Sequence, residues 1–154
     1  MSALAVAAPW SIWRSPLMDG EAVIYGCIKD CVVPAEAHER LRVNCEVIEA
    51  LPAADTWPLI AREMFATPAR TLLLSGPHTE IVHFGAAYQG IEYEWELWMR
   101  EFEALLARMY WVSATVHLET ELAGTHAFQW ESTGDCHRPG QGQLQVRCEW
   151  SREL

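Results

Sequence analysis

The cysteines and histidines of this chain are the side chains that could bind a metal ion. Cys27 and Cys31 lie in a segment predicted to be a strand, so they share one face but are about 13 Å apart. Cys136 precedes His137, and His126 could add a third ligand. The chain contains no Cys-x2-Cys pair and no His-Glu-x2-His motif. The pattern favours ordinary thiols and a polar loop histidine, and we predict no metal site.

A histidine beside a glutamate could perform general acid–base catalysis. His78, His83 and His117 are the candidate histidines, with Glu80 or Glu119 as the carboxylate. His117 and Glu119 alternate with apolar residues in a predicted strand, which favours a solvated sheet face over a catalytic pair. The chain also lacks a Gly-x-Ser-x-Gly elbow and a Gly-x4-Gly-Lys phosphate loop. We therefore predict no enzymatic activity and no cofactor.

The charge balance indicates which class of macromolecule the protein could bind. The chain has 21 acidic and 11 basic residues among 154, a formal net charge of -10, and Lys29 is its only lysine. Nucleic acids are polyanions that are normally bound by clustered Lys and Arg, so we predict no direct binding to nucleic acid. A basic macromolecule is the partner that this charge favours.

Length and composition predict one folded domain over residues 1–154, with residues 1–18 as an irregular N-terminal arm. Half of the residues are hydrophobic, which is far from the composition of a disordered acidic tail. We expect Trp10 and Trp13 of the arm to pack on the body. The first residues lack the basic region of a signal peptide, the five cysteines are irregularly spaced, and no apolar run is long enough to span a membrane. We expect a cytoplasmic protein without a membrane segment.

Hydrophobic periodicity and turn residues predict an α+β fold, in which helices pack on one face of a mostly antiparallel sheet. The predicted strands are residues 21–33, 71–75, 80–84, 112–119, 126–130 and 143–150. The predicted helices are residues 35–51, 59–65 and 91–109. Residues 85–90 contain two glycines and are expected to interrupt regular structure before the last helix.

The first predicted helix should bury a stripe formed by Leu41, Cys45 and Ile48. Glu36 and Arg40 are four residues apart and should form a favourable ion pair along its surface.

The helix predicted at residues 91–109 has the clearest amphipathic pattern of the chain. Its apolar side is formed by Ile91, Trp95, Trp98, Phe102, Leu105, Leu106 and Met109. The opposite side carries Tyr93, Leu97, Arg100 and Ala104, and glutamates flank this strip on both edges. We expect the first side to lie in the core and the second to face outward.

An apolar strip inside a rim of carboxylates is typical of a protein interface, where the charges steer an oppositely charged partner. The solvent-facing sides of the predicted strands carry further carboxylates that could belong to the same interface. The predicted partner-binding residues are Glu92, Tyr93, Glu94, Glu96, Leu97, Arg100, Glu101, Glu103, Glu119 and Glu121. The simpler alternative is a solvated helix face, with Glu96 paired to Arg100 and the strip covered by the N-terminal arm.

In size, acidity and tryptophan content the whole chain resembles the immunity proteins of bacteriocins, and most closely those of nuclease-type S pyocins. The segments that carry the resemblance are Gly20-Glu-Ala-Val-Ile-Tyr-Gly26 and Tyr93-Glu-Trp-Glu-Leu-Trp98. The β-rich C-terminal third excludes the four-helix fold of the immunity proteins of DNase colicins. The resemblance implies an inhibitor that binds the basic nuclease domain of a cognate toxin, with carboxylates in place of DNA phosphates.

Two alternatives remain open from the sequence. The chain could be a DNA mimic that blocks another DNA-binding protein, which evenly spaced surface carboxylates would favour. It could also be an enzyme or small-ligand binder that uses His83, His117 or His126 inside an aromatic pocket. A deep cavity lined by tryptophan would favour this second alternative.

Overall fold

The computed structural model describes residues 20–31, 33–66, 80–121, 124–141 and 146–151. The strands are β1 (Glu21–Asp30), β2 (Phe65–Ala66), β3 (Glu80–Gln89), β4 (Ser113–Thr120), β5 (Gly124–Glu131) and β6 (Val146–Ser151). The α-helices are α1 (Ala37–Glu49) and α2 (Trp95–Ala107). Short 3-10 turns cover Ala54–Thr56, Arg62–Met64 and Ile91–Glu94.

The strands form one sheet in the order β2-β3-β1-β4-β5-β6, and every neighbouring pair is antiparallel. The central strand β1 pairs along its whole length with β3 and over most of its length with β4. Both helices pack on the same side of this sheet, because α1 contacts Asp30 and α2 contacts Phe84 and Phe128 through Phe102 and Trp95. The predicted α+β fold is therefore confirmed.

Alternation along the strands separates a helix-covered face from an open face. In β1 the side chains of Ala22, Ile24 and Ile28 are buried, whereas Val23 and Tyr25 on the other face are 37% exposed. Gly26 lies on the covered face, where a Cβ atom would be 1.9 Å from the carbonyl oxygen of Thr115. Glycine is therefore required for the close approach of β1 and β4 at this point.

The core is an aromatic layer between α2 and the sheet. Trp98, Phe102, Leu105, Leu106 and Met109 are completely buried. The Phe102 ring is stacked on Trp98 at 5.2 Å between ring centroids and tilted against Trp130 of β5 at 5.1 Å. The predicted apolar side of this helix is confirmed, and it is the main hydrophobic contact between the helices and the sheet.

Helix α1 buries a different stripe from the predicted one. Arg40, Asn44 and Ile48 are buried, while Leu41 and Cys45 are half-buried. Arg40 and Asn44 are buried because each has hydrogen-bond partners beneath the helix. The guanidinium of Arg40 donates hydrogen bonds to both carboxylate oxygens of Asp30, and Asn44 exchanges two hydrogen bonds with the backbone of Tyr110, at 2.9 and 2.8 Å.

The predicted ion pair between Glu36 and Arg40 is present, with 3.3 Å between nitrogen and oxygen. Glu36 is only one of the partners of Arg40, because the guanidinium also lies 5.0 Å from the ring centroid of Tyr110. A pattern search that assigns polar residues to the surface has no signal for such a buried arginine.

Two segment predictions are wrong. The helix predicted at residues 59–65 is instead the 3-10 turn Arg62–Met64 followed by β2. Seven residues are too few for a stable helix, and Phe65 gains a backbone pairing with Phe84 and a ring contact at 5.3 Å. The interruption predicted at residues 85–90 is also wrong, because β3 continues to Gln89 in an unbroken ladder with β1.

Several predictions fall outside the described residues: the N-terminal arm 1–18, the strand 71–75, and residues 143–145 of the last strand. Among the helices in the described ranges, none combines the length and the apolar character needed to cross a membrane.

Candidate partner-binding surface

The outer side of α2 is positioned by a glycine turn at the end of β3. Gly90 has a φ of 68°, a left-handed conformation that glycine adopts without a steric penalty, and the chain then enters the 3-10 turn Ile91–Glu94 and α2. Ile91 is buried at this junction and fixes the rotation of the helix. As predicted, Tyr93 is 64% exposed and Leu97 is 39% exposed on the side opposite the core.

The carboxylates predicted around this strip are on one side of the molecule. Glu92, Glu96 and Glu101 are exposed, and Glu94 and Glu103 are half-exposed. Arg100 is exposed among them. We call this set of Glu92, Tyr93, Glu94, Glu96, Leu97, Arg100, Glu101 and Glu103 the acidic face.

The negative charge of the acidic face is not neutralised within the described part of the protein. None of the ion pairs between described residues involves its glutamates or Arg100. Helix α1 is the opposite case, because Arg42 lies 2.7 Å from Glu46 and 3.2 Å from Glu39 across its surface. The alternative pairing of Glu96 with Arg100 is absent between these described residues, so the field of the acidic face is directed outward.

Glu101 is held in an environment that disfavours its charge. Partial burial raises the pKa of its carboxyl, and the nearby carboxylate of Glu94 raises it further. Its neighbour Tyr88 is also affected, since burial raises the pKa of the phenol to about 12.

The structure separates one of the predicted binding residues, Glu119, from the acidic face. Glu119 lies on the open face of β4, where it accepts a hydrogen bond of 2.9 Å from the Tyr25 hydroxyl. Glu121 is exposed just after the end of β4. Because α2 covers the opposite face of the sheet, one flat contact with a partner cannot include both Glu119 and the acidic face. Sequence patterning shows which side of a strand a residue occupies but not which side the helices cover.

The candidate metal and catalytic residues are dispersed. Within the ranges that the structure describes, no group of three or more histidine, cysteine, aspartate or glutamate side chains is arranged to hold a metal ion. His137 is buried against Trp111, with its ring nitrogens 2.9 and 3.0 Å from the carbonyl oxygens of Met109 and Gln141. It anchors the loop before β6 and presents no free nitrogen to a ligand.

The other described histidine candidates are on the face of the sheet opposite to Glu80. His117 stacks on Tyr25 on the open face, with 4.9 Å between ring centroids, and His83 is exposed on the same face. Glu80 belongs to the covered face, where it lines a cavity. His78 lies outside the described residues. Glu80 and the two described histidines therefore do not form an acid–base pair.

A small cavity of about 20 Å³ lies beneath α1, beside the ion pair of Asp30 and Arg40. This is room for roughly one or two water molecules. Cys31 is next to it, and burial raises the pKa of its thiol despite the opposing effect of Arg40, so the neutral thiol predominates at neutral pH. The cavity has the chemistry of a structural polar cluster and is too small for an organic ligand.

One exposed residue, Trp57, is not among the predicted partner-binding residues. Trp57 is 70% exposed and has a φ of 56° and a ψ of 45°, and within the described ranges it is the one residue other than glycine with a positive φ. The sequence does contain a signal, because Trp57 lies between a turn and Pro58 and fits neither an apolar stripe nor an alternating strand.

Comparison with known proteins gave no relative: no protein-family model, no curated protein and no solved structure matches this chain.

Proposed function

We propose that this protein is an immunity protein, which binds and inhibits the basic nuclease domain of a bacteriocin in the cytoplasm of the cell that produces it. The observation that carries the proposal is that the glutamates of the acidic face form no ion pair with any other residue that the structure describes. Five glutamates on and just before one helix lack a described ion-pair partner, whereas Glu39 and Glu46 of α1 are both paired to Arg42. Exposed, unpaired carboxylates are available to lysine and arginine side chains that otherwise contact DNA phosphates.

The apolar part of the acidic face supports the same proposal. Tyr93 and Leu97 are exposed at the centre of the carboxylates, and an aromatic residue within a polar rim is typical of residues that dominate binding energy. Helix α2 is fixed to the sheet by Trp98 and Phe102, so the surface is rigid before binding and loses little conformational entropy.

The direct test is inhibition of a defined nuclease. The probe is the purified nuclease domain of the toxin encoded beside the gene of this chain, assayed on plasmid DNA. We expect this protein to abolish cleavage at a one-to-one ratio. Full cleavage in the presence of excess protein, or an adjacent gene that encodes no basic nuclease, would contradict the proposal.

A matched control separates inhibition from general effects of an acidic protein. The variant with Glu94, Glu96 and Glu101 replaced by glutamine should inhibit poorly. The control variant has glutamine at Glu21, Glu49 and Glu131, which are exposed and lie outside α2. This control loses the same number of charges and should inhibit as the wild type does.

A further inference from the structure

The turn that contains Trp57 is the most unusual exposed feature of the described surface. Its indole is 70% exposed, which is the largest exposed fraction among the large hydrophobic residues of the described ranges. Its backbone is left-handed, a conformation that costs a bulky L-residue free energy and that asparagine or glycine would adopt more easily. The fold therefore gains neither burial nor backbone relaxation from tryptophan at this position.

The turn is rigid in spite of its exposure. The Thr56 hydroxyl donates to the carbonyl oxygen of Ala53 at 2.7 Å, and the backbone nitrogen of Trp57 donates to Ala54 at 3.1 Å. The Glu63 carboxylate accepts a hydrogen bond of 2.9 Å from the backbone of Ala54, which ties the two 3-10 turns together. Because the backbone of the turn is already ordered, only the side-chain torsions of Trp57 remain to be fixed when the indole enters a contact.

The Trp57 turn is connected to the buried side of α2 through hydrogen bonds. Leu59, two residues further along, accepts a hydrogen bond of 2.5 Å from the Tyr88 hydroxyl, which in turn accepts one of 3.1 Å from the indole nitrogen of Trp98 in α2. The Glu101 carboxylate is close enough to Tyr88 to contribute to its raised pKa. The turn is thus linked through Tyr88 to the buried side of α2, and Glu101 is the acidic-face residue closest to this link.

The charges around the turn are also acidic. Asp55 and Glu63 are exposed within the same segment, and the nearest base, Arg62, is paired with Glu63 at 3.5 Å. An exposed indole among carboxylates fits the side chain of an arginine, because the ring attracts the guanidinium through a cation–π contact while the carboxylates pair with its charge.

We propose that Trp57 is the apolar anchor of the partner interface and that it receives an arginine from the basic surface of the bound nuclease domain. This inference rests on the proposed function and extends the interface from the acidic face to the Trp57 turn. The carboxylates then determine mainly the association rate of the partner, and Trp57 determines mainly its dissociation rate.

The experiment measures association and dissociation rates for the same purified nuclease domain with three single variants. Trp57→Asn removes the indole and suits the left-handed backbone, and Trp57→Phe keeps an aromatic ring. Ile81→Thr is the control, since Ile81 is exposed on the open face of the sheet. We expect Trp57→Asn to raise the dissociation rate roughly 30-fold with the association rate little changed. Trp57→Phe should recover most of this loss, and Ile81→Thr should behave as the wild type.

Thermal melting of the free Trp57→Asn variant gives a second measurement. Relief of the left-handed strain should leave the melting temperature unchanged or raise it by roughly 2–4 °C. A fall of several degrees would mean that Trp57 serves the fold, and the anchor would be overturned. The anchor is also overturned if Trp57→Asn dissociates at the wild-type rate while the glutamine variant of the acidic face still associates slowly, which would leave the proposed function intact. If the wild type does not bind the nuclease, both proposals fail.

Discussion

At the scale of single residues, hydrogen bonding distinguishes two tryptophans that are equally buried. Trp98 and Trp130 are both completely inaccessible to solvent. The indole nitrogen of Trp98 donates to the Tyr88 hydroxyl at 3.1 Å, whereas that of Trp130 has no hydrogen-bond partner among the described residues. A buried donor without an acceptor costs free energy, so the two residues should respond differently to loss of the nitrogen.

We therefore predict that Trp98→Phe lowers the free energy of unfolding more than Trp130→Phe does, by about 1 kcal/mol. Both changes remove a similar ring volume, so their packing costs largely cancel in the comparison. Urea unfolding of the two variants measures the difference. Equal losses would show that the contact between Trp98 and Tyr88 contributes nothing net.

The raised pKa of Glu101 leads to a prediction about pH. Because the folded protein holds the proton of Glu101 more tightly than the unfolded chain, its contribution to stability is present below the ordinary pKa of 4.5 and is lost as pH rises through the folded value. Glu101→Gln should therefore raise the melting temperature at pH 7 and leave it nearly unchanged below the ordinary pKa.

The neighbouring carboxylate provides a control for this prediction. Glu94 contributes to the raised pKa of Glu101, so Glu94→Gln should give part of the same stabilisation, and the two changes together should give less than the sum. A Glu101→Gln variant that melts below the wild type at pH 7 would show that the carboxylate is stabilising, contrary to this account.

At the scale of the elements, simple alternation and helical periodicity predicted most of the fold. The strands around Ile24, Val116 and Trp130 and the apolar side of α2 follow directly from which residues are apolar. The failures have physical causes outside that pattern. The pairing of β3 with β1 continues through Gly85, so this glycine does not end the strand. Phe65 pairs with Phe84 in a strand, because the helix predicted there would have been too short to be stable.

The candidate site was predictable to a similar extent. The acidic face could be read from the sequence because α2 has a regular period. The separation of Glu119 from it could not, since this depends on which face of the sheet the helices cover. Trp57 could not be placed either, because a left-handed residue in a turn has no periodic signature. The stripe of α1 was missed since its buried members, Arg40 and Asn44, are polar.

The ion pair between Asp30 of β1 and Arg40 of α1 joins these two elements, and it gives a prediction for their docking. Arg40→Met would leave the Asp30 carboxylate buried without a cation, which should lower the free energy of unfolding by about 3–5 kcal/mol. Adding Asp30→Asn removes the uncompensated charge and should restore part of the loss. Chemical denaturation of the single and double variants measures both changes. An Arg40→Met variant of wild-type stability would show that this ion pair does not contribute to the docking of α1.

At the scale of the whole molecule, the distribution of charge matters more than its total. The net charge of -10 alone would serve solubility. What is unusual is its arrangement, because Glu39 and Glu46 of α1 are paired with Arg42, while the glutamates of the acidic face form no ion pair with another described residue. The sheet and the aromatic core hold the acidic face in a fixed position, and the Trp57 turn is linked through Tyr88 to the buried side of the same helix. These features are the ones expected if the proposed function, binding of a basic partner by a rigid surface, is correct.

The most direct test of this account is the salt dependence of the association rate with the nuclease domain. Electrostatic steering predicts that the wild-type rate falls steeply as salt increases, and that glutamine at Glu94, Glu96 and Glu101 slows association roughly tenfold at low salt and flattens that slope. Glutamine at Glu21, Glu49 and Glu131 should change both much less. If the two triple variants have the same rate and slope, the acidic face is not the surface that receives the partner, and the central claim is wrong.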